Sequence, residues 1–423
     1  MMYNCTTIVS LLEEIMKENI VLKNSVKIHQ IKDEKFQSVY ASLKIVFKMK
    51  AVQNTTANLL AQMMADRLTT NPSKASIAQR MDMLYGAKIG STTYSMGSYQ
   101  VIDLSVVAIA EHFVDTQLFQ EQLNLLADML YEPLLNEETF AEALKNMRLN
   151  HNRIKENPSQ YAIVEAFKSA GAGQTFSLTA LGNLEDLDSV TLQDVKDLHH
   201  LCINEFNKEI YTVGPISEQA DYSRFEVGNS ASVSDALLKT HISPAIEEVT
   251  YRGKQTELVL VFETDITPLS PDYAAYLVYI AHLGQLPSSL LFQVVREKHS
   301  LCYSIYSSRQ IFDGIFYIAT GVNDSNKDKA LDLINDQIEI MKTDIQDVSA
   351  ARQYLIMQME GVNENQKAYT SHIFRNAMLG IENSVEEIQE AIAHVSAEDV
   401  QRVAQSVKPG FIYAYRGEHN EEN

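Results

Sequence analysis

Arg296 and Tyr303 are of residue types that can hold a reacting oxygen. A guanidinium offers a rigid fork of donors, and a phenol can donate to an oxygen that gains charge. By spacing alone they are a helix-end arginine able to meet a carboxylate and a tyrosine half-buried in a hairpin. A second stretch, Ala57-Asn58-Leu59-Leu60-Ala61-Gln62-Met63, puts two amides four residues apart on one helical face. Amides are neutral and poor zinc donors, and the Ala61 methyl cannot take a proton. Alone, this reads as an amphipathic helix whose polar residues face a cavity or solvent. Glu111-His112 follows Ala108, which cannot ligate, on a strand-like alternation. His199, His200 and Cys202 lie on one predicted helix with no second ligand cluster, so a packed helix face is the reading. No Gly-x-Ser-x-Gly, phosphate loop or Gly-x-Gly-x-x-Gly occurs.

The elements that must position these residues repeat. A strand pattern at 37–47 precedes helical patterns at 55–68 and 73–84. Alternating segments at 88–96 and 99–109 join through Gly97-Ser98 as a hairpin would, and helices at 114–131 and 137–155 follow. The later half gives a strand at 257–262, helices at 271–282 and 288–297, a hairpin of 301–308 with 315–322, then helices at 327–342 and 349–363. The order is the same. Thr191-Leu192-Gln193-Asp194 and Ser396-Ala397-Glu398-Asp399 are both hydroxyl-x-x-acid helix starts, each followed by an apolar strand closed by glycine, at Gly214 and Gly417. Residues 215–244 are rich in Ser, Ala and Asp and read as linker. The expected organisation is an α+β pair of duplicated domains, 1–214 and 249–423 joined by 215–248, each an antiparallel-rich sheet with helices packed on one face.

Composition sets the bounds. With 423 residues, 45% of them hydrophobic, the chain is long enough for two substantial cores. A net charge of -20 repels nucleic acid and favours basic or neutral partners. Twenty Tyr and 15 Phe are scattered rather than interleaved with basic residues, as cores and interfaces require, not a base-stacking platform. Cys5, Cys202 and Cys302 are three and far apart, which points to a reducing compartment rather than a disulfide framework. The Met1-Met2-Tyr3-Asn4-Cys5 start has no basic segment leading into an apolar core, and the most apolar run, 273–286, is too short to span a bilayer. A cytoplasmic protein is expected.

Set beside known families, the 57–63 segment resembles the Ala-His-Phe-Leu-Glu-His-Met of the insulinase-like (M16) zinc peptidases, whose inverted zinc motif is H-x-x-E-H. Leu84-Tyr85-Gly86-Ala87 falls on that family's Gly-Ala, and Leu125-Leu126-Ala127-Asp128 on its Leu-Ala-Asp helix. Leu283-Gly284, Ser288-Ser289-Leu290-Leu291-Phe292 and Val295-Arg296-Glu297-Lys298-His299-Ser300-Leu301-Cys302-Tyr303 resemble its Leu-Gly, Ser-x-Leu-Phe and Arg-Glu-x-x-x-Leu-x-Tyr. The resemblance spans about residues 25–420. It implies that Asn58, Gln62 and Asn150 stand where three zinc ligands would be and Ala61 where the general base would be, so this chain holds no metal. It implies that Arg296 and Tyr303 position substrate in trans. The pattern is that of the non-catalytic subunit of a two-chain peptidase, as in mitochondrial processing peptidase and bacterial two-subunit relatives. Zinc and an intact H-x-x-E-H would then belong to a homologous partner, the chain being inactive alone but part of a zinc metalloendopeptidase complex acting on peptides. The alternative is an inert homodimeric peptide-binding or scaffold protein, since the core subunits of respiratory complex III resemble the same family.

Overall fold

The computed structural model describes residues 16–418 except Asp115, Ala180, Glu218 and Gln346. Cys5 and the N-terminal start read above lie outside the described residues. The first sheet contains β1 (Met16–Val21), β2 (Lys27–Lys32), β3 (Ser38–Lys48), β4 (Lys88–Met96), β5 (Tyr99–Ile109) and β6 (Asn207–Gly214), in the order β1-β2-β6-β3-β5-β4. The second contains β7 (Ala245–Tyr251), β8 (Thr256–Glu263), β9 (Cys302–Gln310), β10 (Ile315–Val322) and β11 (Phe411–Gly417), in the order β7-β11-β8-β10-β9. In each sheet a single parallel pair, β2 with β6 and β7 with β11, sits beside a run of antiparallel strands. Strand for strand, the second sheet repeats the first without a counterpart of β1. The fold is therefore α+β, with a duplicated antiparallel-rich sheet.

The repeat extends to the helices. α1 (Ala51–Met64), α2 (Lys74–Met83), α3 (Leu118–Tyr131), α4 (Glu137–Lys155), α5 (Pro158–Ala170) and α6 (Leu192–Asn204) belong to the first half. The second has α7 (Tyr273–Gly284), a π-helical turn at Phe292–Lys298, then α8 (Lys327–Thr343), α9 (Ser349–Asn363), α10 (Gln366–Leu379), α11 (Val385–Ala393) and α12 (Ala397–Gln405). Both hydroxyl-x-x-acid starts are capping boxes: Thr191 and Ser396 accept from the backbone N–H of Asp194 and Asp399, whose carboxylates accept in return.

One core lies between the first sheet and its helices. Leu59, Leu60, Met63 and Met64 of α1 and Leu125, Leu126 and Met129 of α3 pack on Leu43, Ile45, Ile102 and Leu104. The second sheet has an equivalent core, with Val278 and Ile280 of α7 against Leu258, Leu260 and Ile318.

Element order did not foresee what covers the opposite faces. α5 crosses to the second sheet, where Ala162, Ala166 and Ala170, small residues one turn apart, let it approach Val259, Val261 and Ala319 closely. α10 crosses the other way, laying Phe374 and Met378 on Val46, Val101 and Tyr211 of the first sheet. Its start is pinned there: Gln366 Nε2 donates to the carbonyls of Ser38 at 2.6 Å and Val213 at 2.7 Å. Gly214 serves this junction, because at φ +135 a Cβ would stand 2.5 Å from the Ser38 carbonyl oxygen.

The predicted helix at 55–68 begins earlier and ends sooner, at Ala51–Met64, after an extended Lys50. The segment read as linker holds a short 3-10 turn at Ser223–Glu226, buries Phe225, Ala236 and Ile242, and gives its last residues to β7.

Candidate functional site

α1 carries Asn58, Ala61 and Gln62, three of the four positions that the sequence reading expected at a degenerate zinc site. Its apolar residues face the sheet, which fixes where the polar ones go. Asn58 is buried: its Nδ2 donates to the Asn54 carbonyl at 3.1 Å, and its Oδ1 accepts from the Thr93 hydroxyl on β4. Both polar functions of the amide are thus engaged within the fold. Ala61 is only 3% exposed and packs in the first core. Gln62, one turn beyond Asn58, is half-buried, and Asn150 on α4, a helix that packs against α1, is exposed.

Beside Asn150 stands His151, which sequence reasoning had not singled out. Burial lowers its pKa below the ordinary histidine value, so the ring is neutral at pH 7, and its Nε2 is buried without a hydrogen-bond partner. Among the described residues no three His, Cys, Asp or Glu side chains are grouped so as to hold a metal. The donor set of two amides on α1, a methyl and an exposed amide does not fit zinc, which takes imidazole, thiolate or carboxylate. No catalytic step is derived through a metal in this chain.

Glu111 and His199, weighed above as possible ligands, have structural partners. Glu111 caps the start of α3, its carboxylate accepting from the Phe119 N–H at 3.3 Å. His199 Nε2 lies 2.6 Å from the Leu130 carbonyl oxygen, and burial pushes the Cys202 thiol up to about 12.

Arg296 and Tyr303 occupy one surface depression of about 470 Å3, lined also by Gln255, Ser300 and Cys302. No residue of α1 or α4 lines it. The π-helical turn aims Arg296: the wider coil closes on itself through His299 N–H to Val294 O at 3.1 Å and Leu301 N–H to Val295 O at 3.0 Å. Ser300, at φ 52, then reverses the chain into β9 in a left-handed conformation that costs a non-glycine residue roughly 1–2 kcal/mol. Arg296 stacks over the Phe292 ring at 4.3 Å and reaches Glu297 at 3.6 Å. Tyr303 is 86% exposed, and its hydroxyl has no hydrogen-bond partner among the described residues.

The face offers the Arg296 and Tyr303 donors beside the Glu297 carboxylate. Burial, opposed by the Thr320 hydroxyl and the Arg296 charge, raises the Cys302 thiol, which leaves it protonated and unreactive at neutral pH. Such a face can bind an extended chain or a carbonyl oxygen.

Known proteins agree with this picture. Residues 189–354, from the start of α6 into α9, match the family described as Peptidase M16 inactive domain. Over 407 residues the chain is 23% identical to the probable inactive metalloprotease YmfF of Bacillus subtilis (strain 168), covering 92% of this chain and 95% of that protein. Two crystal structures share the fold along nearly the whole length. A conserved protein from Enterococcus faecalis V583 has TM-score 0.89 at 23% identity, covering 96% of this chain and 100% of that one. A peptidase M16 inactive domain from Pseudomonas fluorescens has TM-score 0.80 at 17% identity, with the same coverage. Residues 189–354 thus carry the Peptidase M16 inactive domain, and along nearly its whole length the chain is similar to a probable inactive metalloprotease and shares the fold of these structures.

Proposed function

We propose that this chain is the non-catalytic subunit of a heterodimeric zinc metallopeptidase that processes or degrades peptides. It lends Arg296 and Tyr303 to a chamber whose zinc and H-x-x-E-H belong to a homologous partner. The reading rests on one contrast: Asn58 and Ala61 are absorbed into the packing of their own half, whereas the Tyr303 hydroxyl stands in solvent without an internal partner. A tyrosine with only a structural role gains by burying its ring. In the proposed assembly Arg296 holds the substrate main chain and Tyr303 donates to the carbonyl oxygen as it gains charge. Residues 1–214 shape one wall, 249–423 present the Arg/Tyr face, and 215–248 connect them. The net charge of -20 inclines the chamber towards basic or neutral peptides, and the cytoplasm is the proposed setting. No helix of the described residues is long and apolar enough to cross a membrane.

The test is a tagged pull-down from native extract with co-purifying chains identified by mass spectrometry. A stoichiometric H-x-x-E-H chain is the expected result. In that reconstituted pair Tyr303→Phe should lower kcat at least tenfold with little change in KM, and Arg296→Met should lower kcat/KM. Recovery of this chain only, as a self-associated pair, would overturn the proposal in favour of an inert binding or scaffold role.

A further inference from the structure

Two partly buried arginines far from the Arg296 face line one pocket with no ion-paired carboxylate. Arg309 lies near the end of β9 on the parity of Ile305 and Ser307, the side that faces α7. Arg375 projects from α10, the helix that crosses to the first sheet. Both line a partly open pocket of about 60 Å3 bounded by α7, α9, α10, α11 and the β9–β10 hairpin, with Leu277, Phe312, Met359 and Leu379 among its walls.

Five other arginines of this acidic chain are closely paired. Arg67, Arg80, Arg224, Arg402 and Arg416 each meet a carboxylate at 2.6–2.7 Å. Arg309 and Arg375 make no ion pair among the described residues. Arg375 Nε has only the Ser371 carbonyl of its own helix, at 3.3 Å, and Arg309 Nε is buried with no partner.

A guanidinium does not escape such a position by losing its proton. Burial does press the Arg375 pKa below its usual value, and the Arg309 charge adds to that pressure. Two like charges in a largely apolar pocket repel more strongly than in water, and a desolvated charge without a counter-charge is an unfavourable arrangement. An anion from outside would relieve both terms at once.

We propose that this pocket binds a carboxylate ligand, its oxygens held between the Arg309 and Arg375 guanidinium groups and its hydrocarbon part reaching into the larger cavity that shares its lining. Guanidinium forks match the two oxygens of a carboxylate. The walls suit a monoanion with a hydrocarbon end better than a fully hydrated inorganic dianion. That larger cavity, of about 580 Å3, shares His372, Asn376, Ile381 and Asn383 with the pocket. The carboxylate can come from a small aliphatic acid or from a peptide C-terminus.

The full chain, freed of carboxylate and phosphate buffers, is titrated calorimetrically at pH 7.5 with hexanoate, inorganic phosphate, and a leucine-ended pentapeptide in free-acid and amidated forms. Saturable binding of hexanoate or the free-acid peptide is expected, with the amidated peptide at least tenfold weaker than the free acid. Hexanoate without the peptide marks a small acid as the source; tighter binding of the free-acid peptide marks a chain terminus. Arg309→Met and Arg375→Met should each weaken binding at least tenfold, Arg375→Lys should fall between, and the exposed Arg153→Met should change nothing. Arg375→Lys keeps the charge, so the test survives if a methionine variant fails to fold. No saturable binding of either carboxylate, phosphate binding alone, or wild-type affinity in folded Arg375 variants would overturn the proposal and leave a hydrated cation pair.

Discussion

At position 61, where the proposed reading puts the family's catalytic glutamate, a methyl group sits in a packed core at 3% exposure. Restoring the carboxylate alone has no ligand set to serve. Ala61→Glu is therefore expected to destabilise the chain by about 2–4 kcal/mol through overpacking and a buried charge, without conferring peptidase activity; the urea midpoint and a peptide-cleavage assay read the two effects. A variant of unchanged midpoint would mean that the site is roomier than its packing implies. Asp313, in the turn between β9 and β10, is the reverse case of a charge retained in the interior. It is 7% exposed, and burial raises its pKa from 3.8 to about 7. A raised carboxyl makes its contribution to stability below the unfolded value and loses it as pH rises through the folded one. Stability should thus fall from pH 4 to pH 7 on this account. Asp313→Asn should be more stable than the wild type at pH 8, on the order of 2–4 kcal/mol, and nearly equal to it at pH 3. Equal denaturation midpoints at pH 8 would show the carboxylate to be solvated. Individual residues were unevenly legible: the helix that carries Asn58, Ala61 and Gln62 could be read from the sequence, whereas Thr93 as the partner of Asn58 could not, because β4 meets α1 only in the folded chain.

Among elements, the paired helix starts carry the clearest expectation. Ser396 caps α12 by accepting from the Asp399 N–H at 3.1 Å, and Thr191 does the same for α6 from Asp194 at 3.2 Å. Ser396→Ala and Thr191→Ala should each cost about 1 kcal/mol, seen as a lowered denaturation midpoint with unchanged m-value. Two additive losses would mark them as independent boxes in equivalent places. Capping residues and hairpin alternation depend on neighbours in the sequence, which is why β4, β5, β10, α4 and α9 stand where periodicity put them. The crossing helices were not foreseen for the opposite reason. α5 and α10 acquire their meaning from surfaces in the other half, and neither Ala162 nor Phe374 announces which sheet it will touch. β7 escaped notice because its Ala-Ile-Glu-Glu-Val-Thr-Tyr run lacks alternation, being an edge strand exposed on most of its length. The π-helical turn at Phe292–Lys298 is too short for its period to be told from an α-helix in sequence. The Arg309 and Arg375 cavity depends on α10 and was equally out of reach.

For the molecule as a whole, the duplicated order of elements was legible and the interlocking of the two copies was not. Because α5 and α10 each complete the sheet of the opposite half, a fragment of residues 1–214 would leave Val46, Val101 and Tyr211 uncovered and α5 without a surface to lie on. That fragment is expected to remain unfolded or aggregate, while the full chain unfolds in one transition followed alike by circular dichroism and tyrosine fluorescence. Two separated transitions, or a soluble cooperative fragment, would show the halves to be independent. The crossing helices have a mechanical consequence as well. A clamshell opens by flexing at a hinge, but here each shell is bolted through the other, so spreading the halves would tear Phe374 off one sheet and Ala166 off the other. The two halves are therefore expected to move as one rigid body, with no hinge between their sheets to flex.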